Sequence, residues 1–519
     1  MEALAFNMKE ESLRKRWEIL DAQKEQLHTR NERYARWTLP YLYPCEDRNK
    51  NDELESDLDS VGARAVNHLS NKLVETLFPS YRPFLRLEMS EEVELELEQA
   101  QVPLTEVDKA LVRGEKRTVR TLDRMGHRTA ATTATKQLIV TGNALMYYPI
   151  GSKCQVYSTR DYCVVRDIAG NVIEMVLRDI KAFETFTDAV KDKLQAERPR
   201  EQKEYEDDTA VTLYTRVLLN DNKYEVTQAA DAVMLDVNRN SYAKKDLPWL
   251  PLTWNLSRGE DYGRGMVEDY SGAFGALDIL SQALIEGIVS SAALKFLVKP
   301  SSVIDIEELN KSPNGSYHSG EDGDIVAVKS DKHIDFQQVK MVIEDFTRQI
   351  AQAFLLNSTV TRDAERVTAE EIRFQAQELE MAYGGIYSRF TEDWQEPVAR
   401  LLLSAQNITV SDQEIYPVVV TGLDTLSRMG DLDNFRMFMN DLSLINAVPE
   451  TIQQRLKTSD LLMWVGNARG VDYTRFVKTE QEFQQEQQAA MQQQQAMMQQ
   501  ETEQNLTQTA GEELIKQEE

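Results

Sequence analysis

Residues that build metal centres and disulfide frameworks are scarce in this chain of 519 residues. The three cysteines, Cys45, Cys154 and Cys163, are odd in number and have no zinc-ligand spacing, which indicates reduced thiols. The histidines stand apart from one another, and no HExxH pattern occurs. We therefore expect structural or surface roles for the histidines, no metal site and no cofactor. The histidines are His28, His68, His127, His318 and His333.

The sequence motifs of nucleotide hydrolysis and acyl transfer are also missing. Neither a GxxxxGK[ST] phosphate loop nor a GxSxG nucleophile elbow occurs. Gly263-Arg264-Gly265 resembles part of a dinucleotide loop but lacks the third glycine and a βαβ context, so a turn that opens a helix is the better interpretation. Three acidic pairs lie in predicted loops or helix caps. A metal-dependent nuclease instead binds Mg²⁺ with carboxylates that converge from separate strand ends. The three pairs are Asp57/Asp59, Asp322/Asp324 and Asp431/Asp433. We predict that the chain is not an enzyme.

Basic residues are fewer than acidic ones, with 59 Lys and Arg against 86 Asp and Glu. The net charge is −27, and the isoelectric point lies near 4.8. Since contacts with phosphates need Lys and Arg, general nucleic-acid binding is disfavoured. The charge is still compatible with a protein that encloses duplex DNA without binding it tightly. Acidic walls repel a polyanion, so the duplex could slide past them with little adhesion. An ordinary acidic cytosolic protein is the simpler interpretation of the same composition.

Uninterrupted apolar segments are absent too. The N-terminal residues MEALAFNMKEESLRKRW lack the apolar core of a signal peptide. The most apolar window, Leu277 to Val298, contains Asp278, Glu286 and Lys295. Charges placed so centrally are costly in lipid, so we expect no membrane span.

What the sequence does contain is a helical chain with an α+β layer inserted. Helical periodicity covers Met8–Trp37, Val61–Phe78 (with Ser60 as the predicted N-cap) and Leu104–Thr141. Between Ala144 and Asn255 the period changes to that of strands, with two hairpins turning at Asp167–Asn171 and Asn220–Asn222. The predicted fold class is α+β, mainly α.

A helix, a small lobe and a second helix follow. The pattern predicts a helix over Met266–Leu297, a compact turn-rich lobe over Val298–Phe336 and a helix over Gln337–Leu356. Small residues recur along one row of the first helix and would let another helix backbone approach closely. A partner helix and a buried helix within one domain explain this row equally well. The row is Ala276, Leu280, Ala283, Gly287, Ser290 and Leu294.

A charged loop then leads into a long helix. Arg362 and Arg366 lie in this loop, and Thr368 with Glu371 forms a capping box that starts a helical pattern lasting to about Ala405. A basic loop between two long helices suits a part that projects into a shared space. In a ring, each such residue would become a belt of positive charge around the axis. The candidate DNA-contacting residues are Arg362, Arg366, Lys340, Arg348 and Arg373, and surface salt bridges with Glu344, Asp363 or Glu365 explain any one of them equally well.

Five blocks in this order resemble the portal, or head-to-tail connector, family of short-tailed bacteriophages (podoviruses). The blocks are VGARAVNHLSNKLVETLFP (61–79), VTGNALMYYP (140–149), VVRDIAGNVIEMVLRD (164–179), GEDYGRGMVEDY (259–270) and ERVTAEEIRFQAQELE (365–380).

The resemblance implies a homo-oligomeric ring, a dodecamer, at one capsid vertex of the virion. It implies a conduit for double-stranded DNA that nucleates procapsid assembly and docks the large terminase and then the tail adaptor. Scaffolding, major capsid and internal core proteins are the other implied partners. The implied regions are N-terminal helices and α+β wing (1–265), first stem helix (266–297), clip (298–336), second stem helix (337–356), tunnel loop (357–367), long helix with return strand (368–422), helical crown (423–480) and Gln-rich acidic tail (481–519).

Two other classes stay open at the level of sequence. One is an enzyme, either a metal-dependent nuclease or part of the packaging motor. The other is a cytosolic coiled-coil scaffold, which the helix-rich ends of the chain favour.

Overall fold

The computed structural model describes most of the chain up to residue 419. The predicted tunnel loop, crown and Gln-rich tail lie outside the described residues, as do Arg362, Arg366, Arg373 and Leu294. The described residues are 12–45, 51–79, 83–90, 92–93, 97, 100, 104–197, 205–231, 233–292, 295–302, 304–321, 323–328, 333–356, 385–406, 408 and 415–419.

The predicted N-terminal helix is divided into two helices over the described residues. Met8–Trp37 was expected to be one helix, but the described part consists of α1 (Leu13–Ala22) and α2 (Glu25–Trp37). Helix α3 spans Val61–Leu77, as the periodicity predicts. Ser60 occupies the predicted N-cap position but makes no side-chain cap bond, and Asp59 Oδ1 instead accepts from the Val61 N–H at 2.8 Å. The carboxylate thereby satisfies one of the unpaired N–H groups at the helix start.

The predicted helix over 104–141 is two helices. Helices α4 (Leu104–Arg124) and α5 (His127–Thr141) are separated by Gly126, whose φ of 67° lies in the left-handed region. Helix α5 packs on α3, and Leu69, Leu73 and Leu138 of the two helices are buried in the same apolar core. This helical layer is the centre of the largest apolar core of the described chain.

The two predicted hairpins belong to one antiparallel sheet of five strands. Strands β4 to β8 follow one another in sequence order across this sheet. Asp221 and Asn222 both have positive φ, 43° and 69°, as a two-residue hairpin turn requires. Helix α1 covers one face, with Trp17 against Tyr214. The strands are Tyr162–Arg166, Val172–Ala182, Ala210–Asn220, Lys223–Ala230 and Val233–Ala243, and α6 (Asp188–Glu197) lies between β5 and β6.

Two smaller sheets contain strands that are far apart in the sequence. Strand β1 (Leu85–Met89) pairs antiparallel with β12 (Ile415–Val419). Strands β2 (Asn143–Tyr147), β3 (Gln155–Tyr157) and β9 (Trp249–Thr253) form a sheet in the order β3-β2-β9. The pairings of β1 with β12 and of β2 with β9 join strands that are far apart in the sequence.

The helix–lobe–helix order is present, with corrected bounds. The first predicted helix is divided into α7 (Met266–Asp269) and α8 (Ser271–Ala292), and Lys295–Val298 is strand β10 rather than helix. In the lobe, β10 pairs with β11 (Ile325–Val328), and α9 covers Ile306–Lys311. The second helix, α10, covers His333–Ala353.

A helix with a π-helical turn completes the core. Residues 385–390 are α-helical, Thr391–Gln395 form the π turn, and α11 spans Glu396–Ser404. Pro397 follows the π turn, at a place where proline removes an N–H from the helix ladder. In the turn, Trp394 Nε1 donates to the Tyr148 hydroxyl at 2.7 Å, and that hydroxyl lies 3.1 Å from His127 Nδ1. Burial lowers the pKa of His127 to about 3, so the ring is neutral and structural.

Two of the sequence blocks meet at a junction of three glycines. A β-carbon on Gly142 would lie 2.5 Å from the carbonyl carbon of Arg264 and from the Gly265 nitrogen. One on Gly265 would lie 2.7 Å from the Gly142 nitrogen. The Asn143 side chain bonds both backbone groups of Gly263, donating to its oxygen at 2.8 Å and accepting from its N–H at 2.7 Å. The loop that leads into α7 and α8 is therefore held against the end of α5 by backbone contact.

A matched pair of glycines tests this junction. Gly126 and Gly142 both have positive φ, but a β-carbon on Gly126 would meet nothing within 4 Å. We expect Gly126→Ala to cost about 1 kcal/mol from backbone strain alone. Gly142→Ala adds a clash with fixed backbone, and we expect a loss of more than roughly 3 kcal/mol or no soluble protein. Thermal unfolding measures both, and equal shifts in Tm would show that the close approach is not needed.

Candidate functional site

Helices α8 and α10 form an antiparallel hairpin. Phe274, near the start of α8, lies against Phe354, just past the end of α10, with ring centroids 6.0 Å apart. At the other end of the pair, a β-carbon on Gly287 would lie 2.7 Å from Cε1 of Phe336. The lobe of β10, α9 and β11 joins the far ends of the two helices.

The contact between the two helices follows a coiled-coil spacing. On each helix one row of buried or half-buried residues is separated alternately by three and four positions, the spacing of one face of a coiled coil. The residues are Ala273, Leu277, Leu280, Leu284, Gly287 and Ser291 on α8, and Phe336, Val339, Ile343, Phe346 and Ile350 on α10.

The predicted row of small residues is divided between two faces of α8. Leu280 and Gly287 belong to the stripe that faces α10, so the close approach at Gly287 is explained within one chain. Ala283 and Ser290 are exposed, and Ala276 is half-buried. They lie beside the α10-facing stripe, on one flank of the hairpin. This part of the row has no partner among the described residues that would explain its small side chains.

The opposite flank of α8 carries large apolar side chains. Ile285 is 47% exposed and Ile288 is 51% exposed, while Ile279 on the small-residue side is 69% exposed. Apolar surface of this kind on consecutive helical turns marks an interaction surface. Among the described residues, Ser271–Ser291 alone has a length and composition that would also suit a membrane crossing, a criterion that helices of soluble proteins meet as well.

Two of the candidate cationic residues are described, and both lie on the surface of α10. Lys340 Nζ lies 3.8 Å from Glu344 Oε1, and Arg348 Nη1 lies 3.3 Å from Asp345 Oδ1. All four side chains are largely exposed, so these pairs contribute little to stability. Lys340 and Arg348 are accessible to a large ligand, although each has a local acidic neighbour.

Sequence reasoning missed a charged cluster at the base of α8. Asp278 Oδ2 accepts from Arg36 Nη2 at 3.0 Å and from Trp37 Nε1 at 3.4 Å. Burial, and after it the neighbouring Asp278 carboxyl, raises the pKa of Asp57 to about 7. The only signal in the sequence was an aspartate inside the most apolar segment, which does not identify partners so far away along the chain.

The acidic pairs considered for a nuclease have structural partners where they are described. Asp57 lies beside Asp278, and Asp59 Oδ1 accepts from the Val61 N–H at the start of α3. Asp324 accepts from Ser302 Oγ at 3.2 Å and from the Glu321 N–H at 3.0 Å, which closes a turn of the lobe. Over the described residues, no three or more His, Cys, Asp or Glu side chains are grouped as a metal site would need. Asp322, Asp431 and Asp433 lie outside these residues.

Solved structures of phage-like particles match this chain at low similarity. The neck of an empty gene transfer agent (GTA) particle, computed with C6 symmetry, is 12% identical over 79% of this chain and 90% of its own, with a TM-score of 0.37. The neck of the native GTA particle, computed with C12 symmetry, is 12% identical over 79% and 89%, with a TM-score of 0.34.

Sequence relatives are much closer. The portal protein of Enterobacteria phage SP6 is 33% identical over 93% of this chain and 93% of its own length. The portal proteins of Escherichia phage T7 and Pseudomonas phage phiKMV are 29% and 30% identical over 90% and 87% of this chain, and 88% and 89% of their own lengths. The profile of the bacteriophage head to tail connecting proteins matches residues 10–477. The chain therefore belongs to the family of bacteriophage head-to-tail connecting proteins.

Proposed function

We propose that this chain is the subunit of a homo-oligomeric ring at one vertex of a bacteriophage capsid. The ring is the conduit through which double-stranded DNA enters during packaging and leaves during ejection. The observation that carries this proposal is the match of the family profile to residues 10–477, together with near full-length similarity to portal proteins of short-tailed phages. A dodecamer is the expected assembly, and the virion is its place of function.

The ring supplies symmetry and a passage rather than catalysis. Terminase provides the ATP hydrolysis while it is docked on the ring, and the tail adaptor takes its place after packaging. Scaffolding, major capsid and internal core proteins contact the ring during assembly, and the ring nucleates procapsid formation. The structural partners of Asp57, Asp59 and Asp324 support a non-enzymatic role.

The helical hairpin is assigned to the stem. Its helices correspond to the predicted stem segments 266–297 and 337–356, and the lobe at its far end corresponds to the clip (298–336). Residues 1–265 make the wing, 357–367 the tunnel loop, 368–422 the long helix with its return strand and 423–480 the crown. The observed order of helix, small lobe and helix supports this division.

Electron microscopy of the purified full-length chain tests the ring. We expect annular particles with a central hole, and neither cleavage of duplex DNA in Mg²⁺ nor ATP hydrolysis. Rods would favour the coiled-coil scaffold, and nuclease or ATPase activity would favour the enzyme. A chain that stays monomeric at high concentration, with no rings in virions, would contradict the proposal.

The two flanks of α8 are suited to contact each other between neighbouring subunits. A cyclic ring brings two different surfaces of the subunit together at every interface. Symmetry also makes the copies of α8 parallel and level. Ile285 and Ile288 of one subunit would then lie against Ala276, Ala283 and Ser290 of the next, where small side chains leave room for them.

Disulfide trapping tests this contact. In a Cys45→Ser background we expect Ile288→Cys combined with Ala283→Cys to give a ladder of cross-linked oligomers up to the closed ring. Each single variant should give none, because its cysteines lie on non-contacting flanks of neighbouring subunits. Cross-linking by a single variant would indicate a two-fold contact instead. Intact rings without a ladder would place the interface elsewhere and leave the ring itself supported.

Arg362 and Arg366 are proposed to touch DNA during passage or retention. Around a ring these side chains would supply a belt of positive charge in an otherwise acidic protein, and phosphate contacts need such charge. Lys340, Arg348 and Arg373 are weaker candidates, and the first two already have acidic neighbours.

Charge reversal tests the arginine belt in the phage. We expect Arg362→Glu with Arg366→Glu to change the packaged DNA length or increase leakage, with ring assembly verified by microscopy. Lys340→Glu with Arg348→Glu should have a smaller effect. Lys311→Glu in the lobe is the control, since Lys311 is exposed and paired with Glu307. Unchanged packaging and retention in the double arginine variant would remove this role.

A further inference from the structure

The exposed face of helix α4 carries a continuous row of positive charge. At 3.6 residues per turn, six basic residues of this helix fall within an arc of about 100°, and no acidic residue between the first and the last of them lies inside that arc. All six side chains are exposed. We call this row the basic stripe, and it consists of Lys109, Arg113, Lys116, Arg117, Arg120 and Arg124.

The opposite face of α4 packs on the core and thereby fixes the orientation of the stripe. Leu122 is buried in the largest apolar core, and Glu115 Oε1 accepts from the Leu87 N–H of β1 at 2.9 Å. A β-carbon on Gly114 would lie 3.4 Å from the side chains of both Leu87 and Ile408. Because these contacts hold one side of the helix against the core, the stripe on the other side faces solvent.

The stripe has no counter-charge in the part of the chain that the structure describes. Among the described residues, none of its six side chains forms an ion pair with a carboxylate. Exposed cations elsewhere do so, since Lys311 lies 3.7 Å from Glu307 and Arg348 lies 3.3 Å from Asp345. Acidic residues outnumber basic ones by 86 to 59 in this chain, so a shortage of carboxylates does not explain the difference.

Like charges along the stripe repel one another. Four pairs of stripe residues are separated by four positions, one helical turn, and like charges at this spacing destabilise a helix. Dissolved salt weakens the repulsion between exposed charges without removing it. A polyanion lying along the stripe would replace this repulsion by attraction. The pairs are 109/113, 113/117, 116/120 and 120/124.

We propose that the basic stripe of α4 binds the phosphate backbone of duplex DNA. This contact is separate from the α8–α10 hairpin, because α4 packs on β1 and α11. It is also separate from Arg362 and Arg366, which follow the hairpin in the sequence. The choice of DNA as the polyanion rests on the proposed function, whereas the charge and the exposure of the stripe do not.

The density and the type of the charges favour a nucleic acid over an acidic protein surface. From Lys109 to Arg124 the helix rises roughly 22 Å. Duplex DNA carries one negative charge per about 1.7 Å of its axis, so it offers phosphates along the whole stripe. Four of the six residues are arginines, whose planar guanidinium groups donate two parallel N–H bonds to a phosphate. Phosphate contacts carry no sequence information, so we expect binding that is independent of the DNA sequence.

Binding of closed-circular duplex DNA to the purified full-length chain tests the stripe. A closed circle cannot thread a preformed ring, so its binding does not report passage through a channel. We expect binding at low salt that weakens steeply as salt is added, because each phosphate contact releases counterions. Arg113→Gln combined with Arg117→Gln and Arg120→Gln should lower the affinity at least about tenfold and reduce the slope of log K against log salt concentration by roughly 2 to 3.

Arg14→Gln combined with Lys153→Gln and Lys311→Gln is the matched control. These three side chains are exposed and lie outside the stripe, so the control removes the same total charge and should bind DNA as the wild type does. The Tm of the stripe variant should equal or exceed that of the wild type, since the substitutions relieve repulsion and touch no core contact.

Three results would overturn the proposal. They are no binding by the wild type, unchanged affinity and slope in the stripe variant, and an equal loss of affinity in the control. Loss of rings in the stripe variant with unchanged DNA binding would also overturn it, and would assign the stripe to an acidic surface of a neighbouring copy. Absence of rings in the wild type would contradict the proposed function alone, because binding to the closed circle is measured on the chain in either state.

Discussion

Backbone contact between Gly142 and the Gly263–Gly265 loop is the constraint on which the arrangement of the described chain depends. This contact joins the end of α5, at the centre of the largest core, to the loop that opens α7 and α8. Asn143 reinforces it by bonding both backbone groups of Gly263. Any side chain at Gly142 would push the two segments apart, and with them the direction in which the hairpin leaves the core. The junction thereby fixes the base of the hairpin, while Ile285 and Ile288 further along α8 are exposed.

Contacts within the chain cover only part of the apolar surface of the α8–α10 hairpin. Its coiled-coil stripes pack the two helices together, yet Ile285, Ile288 and Ile279 stay exposed on the flanks of α8. Exposed apolar surface on successive turns is costly for an isolated subunit and becomes favourable when copies cover one another. Different side-chain sizes on the two flanks suit a ring better than a two-fold dimer, because a ring pairs unlike surfaces.

Several basic side chains of the described chain form ion pairs with nearby carboxylates. The chain is strongly acidic, and the described cations on α10 have carboxylates beside them. Buried ions are also paired, as where Glu174 lies between Arg16 at 2.5 Å and Arg216 at 2.6 Å. At these places the positive charge is neutralised by a neighbouring carboxylate. An acidic wall of this kind is compatible with DNA that must move through a ring rather than stay bound to it.

The sequence by itself determined the local elements and the family. Periodicity predicted α3, both hairpins of the large sheet and the order of helix, lobe and helix, because these patterns are set by residues close together in the chain. Only the tertiary structure decided that the hairpins share one sheet, that helix α8 ends at Ala292 so that Lys295–Val298 can pair with β11, and that the side chain of Asp59 rather than of Ser60 bonds the start of α3. It also decided that Gly287 packs on Phe336 of the same chain and that Asp57 lies beside Asp278. These contacts join residues far apart in sequence, and their formation depends on packing and burial that no local pattern encodes.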